Sequence, residues 1–196
     1  MTGGFTTIGH STRVLDELLD MLREARVELL VDVRSFPRSR TNPVFNIDTL
    51  PASLQELQIG YVHSPALGGR RSKQAGIDPD LNAGWRVKSF HNYADYALGD
   101  EFGSAFAKLV ETGTERRLAL MCSEAVWWRC HRRIITDYLL LNGHEVEHLM
   151  GLGQTEAARP IPFARRIDAG KVIYPATSTP QKSQSSSSVA TALPMT

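Results

Sequence analysis

Thiols are scarce in this chain: only two of its 196 residues are cysteine, Cys122 and Cys130. Two thiols cannot staple a fold, which excludes the small disulfide-framework class and favours a reducing compartment. Long apolar runs are missing as well, and none approaches the roughly eighteen residues that a membrane span requires. The N-terminal MTGGFTTIGHSTR has no basic segment leading into an apolar one, so no secretory signal is expected and the expected location is the cytoplasm. A net charge of +1 gives no global argument for nucleic acid or an anionic surface. No internal repeat is present.

What is there is ordinary in bulk. A hydrophobic fraction of 42% and a charged fraction of 22% fit a soluble chain with a full core. One bias stands out, because 17 of the 22 basic residues are arginine. Guanidinium forks match phosphate and carboxylate. GC-rich codon usage explains the total more simply, so only the placement of individual arginines argues for anion recognition.

Along the chain, short β-rich runs alternate with helical periodicity. FTTIGH (5–10), VELLVDV (27–33), IGYVHS (59–64), RRLALMC (116–122) and HEVEHLM (144–150) read as strands. The second is apolar almost throughout, as a strand covered on both faces should be. Helices are expected over VLDELLDMLREARV, over DTLPASLQELQIG with Pro51 in its first turn, over two pieces either side of Gly99, and over WWRCHRRIITDYLLL. RRIDAGKVIYP suggests a small hairpin around Ala169 and Gly170. The expected fold is α/β: a mainly parallel sheet flanked by helices, with a small C-terminal hairpin, forming one domain over 1–175. From residue 176 the Ser/Thr-rich sequence without aromatics predicts a disordered tail.

Open α/β sheets bind ligands beyond the carboxyl ends of their strands. Here those ends deliver His10 and Ser11, then Asp32 and Arg34, then Cys122 and Glu124. The three-four spacing of Trp127, Cys130, Ile134, Tyr138 and Leu141 places Cys130 inside a helix as a packed thiol, with His131 turned about 100° away. Cys122, between a strand and a helix N-terminus, is the better candidate nucleophile. A redox pair is not expected from thiols so placed, and zinc held by Cys122, Cys130, His131 and His10 would lack the tight spacing of familiar zinc motifs. A phosphatase-type loop is excluded: Arg129 lies one residue too far from Cys122, and Glu124 sits where an oxyanion would have to be.

The ordered motifs TIGHS, VDVRSFPRSR, PALGGRR, YADY, LMCSEAVWWRCHR and PFAR resemble those of the bacterial domain-of-unknown-function family 488, from about Phe5 to Pro175. Ser123 stands where that family usually has alanine. The resemblance implies that His10, Ser11, Arg34, Gly68, Gly69, Arg70, Cys122, Glu124, Cys130, His131 and Arg132 occupy signature positions. It implies no reaction and no cofactor.

The functional expectation is an enzyme acting on a small anionic or nucleotide-like ligand. His10, Cys122 and Glu124 are its catalytic candidates; Ser11, Arg34, Gly68, Gly69, Arg70, His131 and Arg132 are its ligand-binding candidates. A nucleic-acid module using arginines beside aromatics is the alternative, and a metal-binding protein the third. Three local expectations follow. Ser11 caps the first helix, Glu124 neutralises Arg34, and the long segment after Pro65 folds over the site, with Gly68 and Gly69 as turn formers and Arg70 facing inward.

Overall fold

A computed structural model describes residues 3–176. Six strands form the main sheet: β1 (Gly4–Gly9), β2 (Leu29–Asp32), β3 (Gly60–His63), β4 (Arg117–Cys122), β5 (Val146–Gly151) and β6 (Gln154–Ala157). Their order is β3-β2-β4-β1-β5-β6, with the first five parallel and β6 antiparallel to β5. A second sheet is the antiparallel pair β7 (Arg165–Arg166) and β8 (Val172–Ile173), closed by a tight turn with Ala169 and Gly170 both at positive φ. The α/β fold and the C-terminal hairpin are therefore as the sequence predicts; the tail expectation falls, Ala176 apart, outside the described residues.

Five helices cover the sheet on both faces. On one lie α1 (Leu15–Glu24) and α2 (Leu50–Glu56), burying Leu18, Met21, Leu22, Leu50 and Leu54 against Ile8, Leu30 and Met121. On the other lie α3 (Lys88–Ala97), α4 (Asp100–Glu115) and α5 (Arg132–Leu141), packed on Phe5, Val31, Leu118 and Leu120. Alternate residues of one strand thus serve two cores, which is why β2 is buried at every position. Asp16 and Glu17 in the first turn of α1 and Arg23 in its last suit the helix dipole. None of the described helices is long and apolar enough to cross a membrane.

Three local expectations need correction. Ser11 does not cap α1, which starts at Leu15 behind Val14; Ser11 instead adopts φ 44° in the connecting turn. The final helix starts later than its periodicity suggests. A single 3-10 turn, Trp127–Arg129, is followed by Cys130 in extended conformation, and α5 begins only at Arg132. Trp127 is held elsewhere, stacked at 4.5 Å on His148 and donating its indole N–H to Glu156. β6 has no counterpart in the sequence reading, because all four of its residues are exposed and none gives an apolar alternation.

Candidate functional site

β4 is inserted between β1 and β2, so the carboxyl ends of these three strands lie side by side. A cleft of about 690 Å³ opens there. His10 follows β1, Arg34 follows β2, and Cys122 and Glu124 end and follow β4; all four line the cleft with Gly69, Arg70 and His131. Ser11, Gly68 and Arg132 do not line it. The chain comes together by backbone bonding: His10 and Ser11 donate their N–H groups to the carbonyls of Cys122 and Ser123. Gly9 permits the approach, since a Cβ there would lie 1.9 Å from the Glu124 carbonyl oxygen.

Arg34 does not pair with Glu124. Its Nε and Nη2 donate to both oxygens of Asp32, at 2.5–3.1 Å, and Nη2 also donates to the Phe45 carbonyl. Asp32, fully buried, accepts a further bond from the Tyr61 hydroxyl at 2.7 Å. A partner two residues away on the same strand end is nearer than one on another strand, and the buried charges compensate. Nη1 donates to His10 Nε2 at 3.2 Å, leaving one guanidinium N–H without a partner among the described residues. His10 Nδ1 in turn donates to the Ser11 carbonyl at 3.1 Å. Burial first, and then the Arg34 charge, push the imidazole down to about 4, so it is neutral at physiological pH. Both its nitrogens are thereby occupied, and its ring is stacked on Phe45. His10 therefore braces Arg34, with both ring nitrogens engaged among the described residues.

The two thiols do meet. The Cys122 and Cys130 sulfurs and a His131 ring nitrogen lie within 4.8 Å of one another. His131 Nδ1 is 3.6 Å from the Cys130 sulfur and 3.9 Å from that of Cys122. The expectation that His131 points away fails because Cys130 precedes the helix. His131 Nε2 lies 3.0 Å from the Val33 carbonyl. A carbonyl only accepts, so Nε2 carries a proton, and in the neutral ring Nδ1 presents its lone pair to the sulfurs. Arg132 Nε–H donates to the Cys130 sulfur at 3.2 Å and Nη2 to the Glu124 carbonyl at 2.6 Å. The neighbouring Cys130 thiol pushes the Cys122 thiol up first, and burial adds to it. For Cys130, burial acts upward but is outweighed by the neighbouring Cys122 thiol and the Arg132 charge and hydrogen bond, and the thiol is pulled down. Cys130 is thus the more anionic sulfur, whereas the sequence suggests Cys122.

The segment after Pro65 forms one wall of the cleft through Gly69 and Arg70 at one end and Val87, Ser89 and Phe90 at the other. Its glycines serve close approach in place of turns. Gly68 has φ −70° and is backed by Ser35, while a Cβ on Gly69 would lie 2.4 Å from His131 Nδ1. Arg70 donates its backbone N–H to Ser35, and its guanidinium lies 5.4 Å from the centre of the Phe36 ring. Arg71 is held inside the loop by the Gly68 and Pro65 carbonyls. Ser35, Phe36 and Arg129 also line the cleft; the sequence offers Arg129 only as a rejected phosphatase-loop arginine and does not name the other two as site residues. The basic run after Val33 was the available signal for the first two.

These observations define an α/β protein with a polar cleft at the carboxyl edge of its sheet and a thiol–imidazole cluster inside it. The family model described as "Domain of unknown function DUF488" matches residues 14–139, and the chain belongs to that family. The match spans Arg34, Gly68, Gly69, Arg70, both cysteines, Glu124, His131 and Arg132; His10 and Ser11 lie before it. No curated protein and no solved structure matches the chain.

Proposed function

We propose that this protein is an enzyme acting on a small anionic, nucleotide-sized ligand in the cleft, with the Cys122–Cys130–His131 cluster as its reactive floor. One observation carries the reading. Two sulfurs and an imidazole lone pair converge in a cleft whose other residues include two guanidinium groups, Arg70 and Arg129, that form no ion pair among the described residues. Buried thiols usually pack among apolar side chains, whereas both sulfurs here reach the wall of a cleft that these two arginines also line. Arg34 is largely consumed by Asp32, so Arg70 and Arg129 take its expected part in anion binding. Glu124, exposed in the cleft and without an ion pair among the described residues, is the acid/base candidate. Calorimetric titration with nucleoside mono- and diphosphates and small phosphorylated or carboxylated metabolites tests this. Binding by at least one class is expected, weakened about tenfold or more in Arg70→Ala at unchanged melting temperature. Absence of binding by every class would overturn it.

A nucleic-acid reading has one observation of its own: Phe36 is 67% exposed beside the cleft under Arg70, as a stacking platform would be. Against it, Arg71 is committed to the loop and Arg38 to Asp48, which breaks the expected basic surface. Salt-dependent binding of a single-stranded oligonucleotide that Phe36→Ala abolishes would favour it.

A further inference from the structure

We infer that Cys122, Cys130 and His131 form a zinc(II) site whose fourth position opens into the cleft. The inference rests on donor geometry and holds whichever ligand the cleft accepts.

Distances come first. Zinc binds thiolate sulfur at about 2.3 Å and imidazole nitrogen at about 2.0–2.1 Å, so a tetrahedral ion has donor–donor edges of about 3.5–3.8 Å. The edges from His131 Nδ1 are 3.6 and 3.9 Å, and all three donors lie within 4.8 Å. An ion placed among them needs only sub-ångström shifts of the two sulfurs.

Donor orientation is the second argument. Zinc-bound histidines give their other N–H to a carbonyl or carboxylate, which fixes tautomer and ring angle. The Val33 carbonyl does this for His131, and Gly69, packed against the ring without a side chain, fixes it from the other side. The ring nitrogen facing the sulfurs has no stronger hydrogen-bond partner to surrender among the described residues. His10 does not belong to the set, because Arg34 and the Ser11 carbonyl occupy its nitrogens.

Charge is the third. Arg132 is 1% exposed, and no carboxylate pairs with it among the described residues. Its partners are the Cys130 sulfur and a peptide carbonyl. A metal-bound thiolate still accepts hydrogen bonds, so the guanidinium keeps its partner when two thiolates cancel the charge of the ion. Tetrahedral sulfur and nitrogen donation selects zinc over magnesium, calcium or manganese. Three protein ligands with a fourth position toward a cleft is the catalytic arrangement of zinc, in which the ion activates a water or polarises a bound group.

The test uses the full chain, purified without chelators or metal-affinity resin, in reductant. Elemental analysis should find about one zinc per chain, or the protein should take up about one on dialysis against zinc sulfate. Cobalt(II) loading should give thiolate charge-transfer bands in the near ultraviolet and intense visible bands of tetrahedral coordination. Cys122→Ser, Cys130→Ser and His131→Ala should each reduce zinc retention at least about tenfold. The cobalt spectrum of the unaltered chain decides even where a variant does not fold. Uptake below about a tenth of an equivalent with both thiols free to react would overturn the site. So would a Cys122–Cys130 disulfide in reductant, octahedral cobalt bands, or full zinc retention in folded Cys130→Ser.

Discussion

Arg132 Nε–H points at the Cys130 sulfur from 3.2 Å, and that sulfur is the only anion-forming group the buried guanidinium touches among the described residues. The pair links α5 to the cleft, because the same guanidinium holds the Glu124 carbonyl. Replacing the arginine by methionine keeps much of its apolar stem and removes both bonds. We expect Arg132→Met to cost on the order of 2–4 kcal/mol in urea unfolding, since a buried carbonyl and an anionic sulfur lose their partner. A more stable variant would mean that the guanidinium is uncompensated and Cys130 a neutral thiol.

Asp32 and Arg34 make the second buried pair, and the partner choice separates two variants. Asp32→Asn leaves Arg34 buried without its counter-charge, and we expect a loss on the order of 3–5 kcal/mol. Glu124→Gln should leave the melting temperature unchanged, because its exposed carboxylate pairs with no cation among the described residues. Parallel thermal melts check both. Equal destabilisation by the two substitutions would restore the Arg34–Glu124 pairing that the sequence suggests.

Much of this was legible from sequence, and for physical reasons. LLVD reads as a central strand because two cores demand apolar residues on both faces. Strand ends were enough to bring His10, Arg34, Cys122 and Glu124 to one edge. What failed were choices between close competitors. Trp127 and Cys130 continue the helical spacing of Ile134 and Tyr138, yet the stacking of Trp127 on His148 pulls that turn out of the helix. That displacement brings the thiols together, and it depends on β5, which periodicity near Cys130 cannot report. The Arg34 partner was on the page two residues upstream, but sequence alone does not rank Asp32 above Glu124.

Asp137 supplies a pH test away from the cleft. Its carboxyl is pushed up to about 7, first by burial, which outweighs the Ile161 N–H bond at 2.9 Å. A carboxyl whose folded pKa lies above its unfolded value is bound to its proton more tightly in the native state. Its contribution is therefore favourable in acid and is lost as pH rises from about 4 to about 7, then level above. Asp137→Asn keeps the acceptor for Ile161 and cannot ionise. The unfolding free energy of the variant minus that of the parent should rise across this window and stay positive at pH 8. A difference that is flat with pH would show that Asp137 ionises normally.

Two glycines distinguish steric from conformational demand, and they decide how tightly the thiol–imidazole cluster is held. Gly76 has φ +75° with nothing within 4 Å of where a Cβ would sit. Gly76→Ala should therefore cost about 1 kcal/mol through backbone strain and leave the cleft untouched. Gly69 is the reverse case: no positive φ, but a Cβ would lie 2.4 Å from His131 Nδ1 and 2.5 Å from Cγ. The imidazole cannot retreat without breaking its bond to the Val33 carbonyl, so Gly69→Ala should turn the ring away from both sulfurs. We expect Gly69→Ala to lose zinc retention at least about tenfold while Gly76→Ala keeps it, because a misdirected ligand weakens metal binding more than a strained loop does. The imidazole resonances of His131 should shift in the first variant and remain in place in the second. If Gly69→Ala retains both the metal and those resonances, the loop rather than the ring yields, and the segment after Pro65 does not position His131.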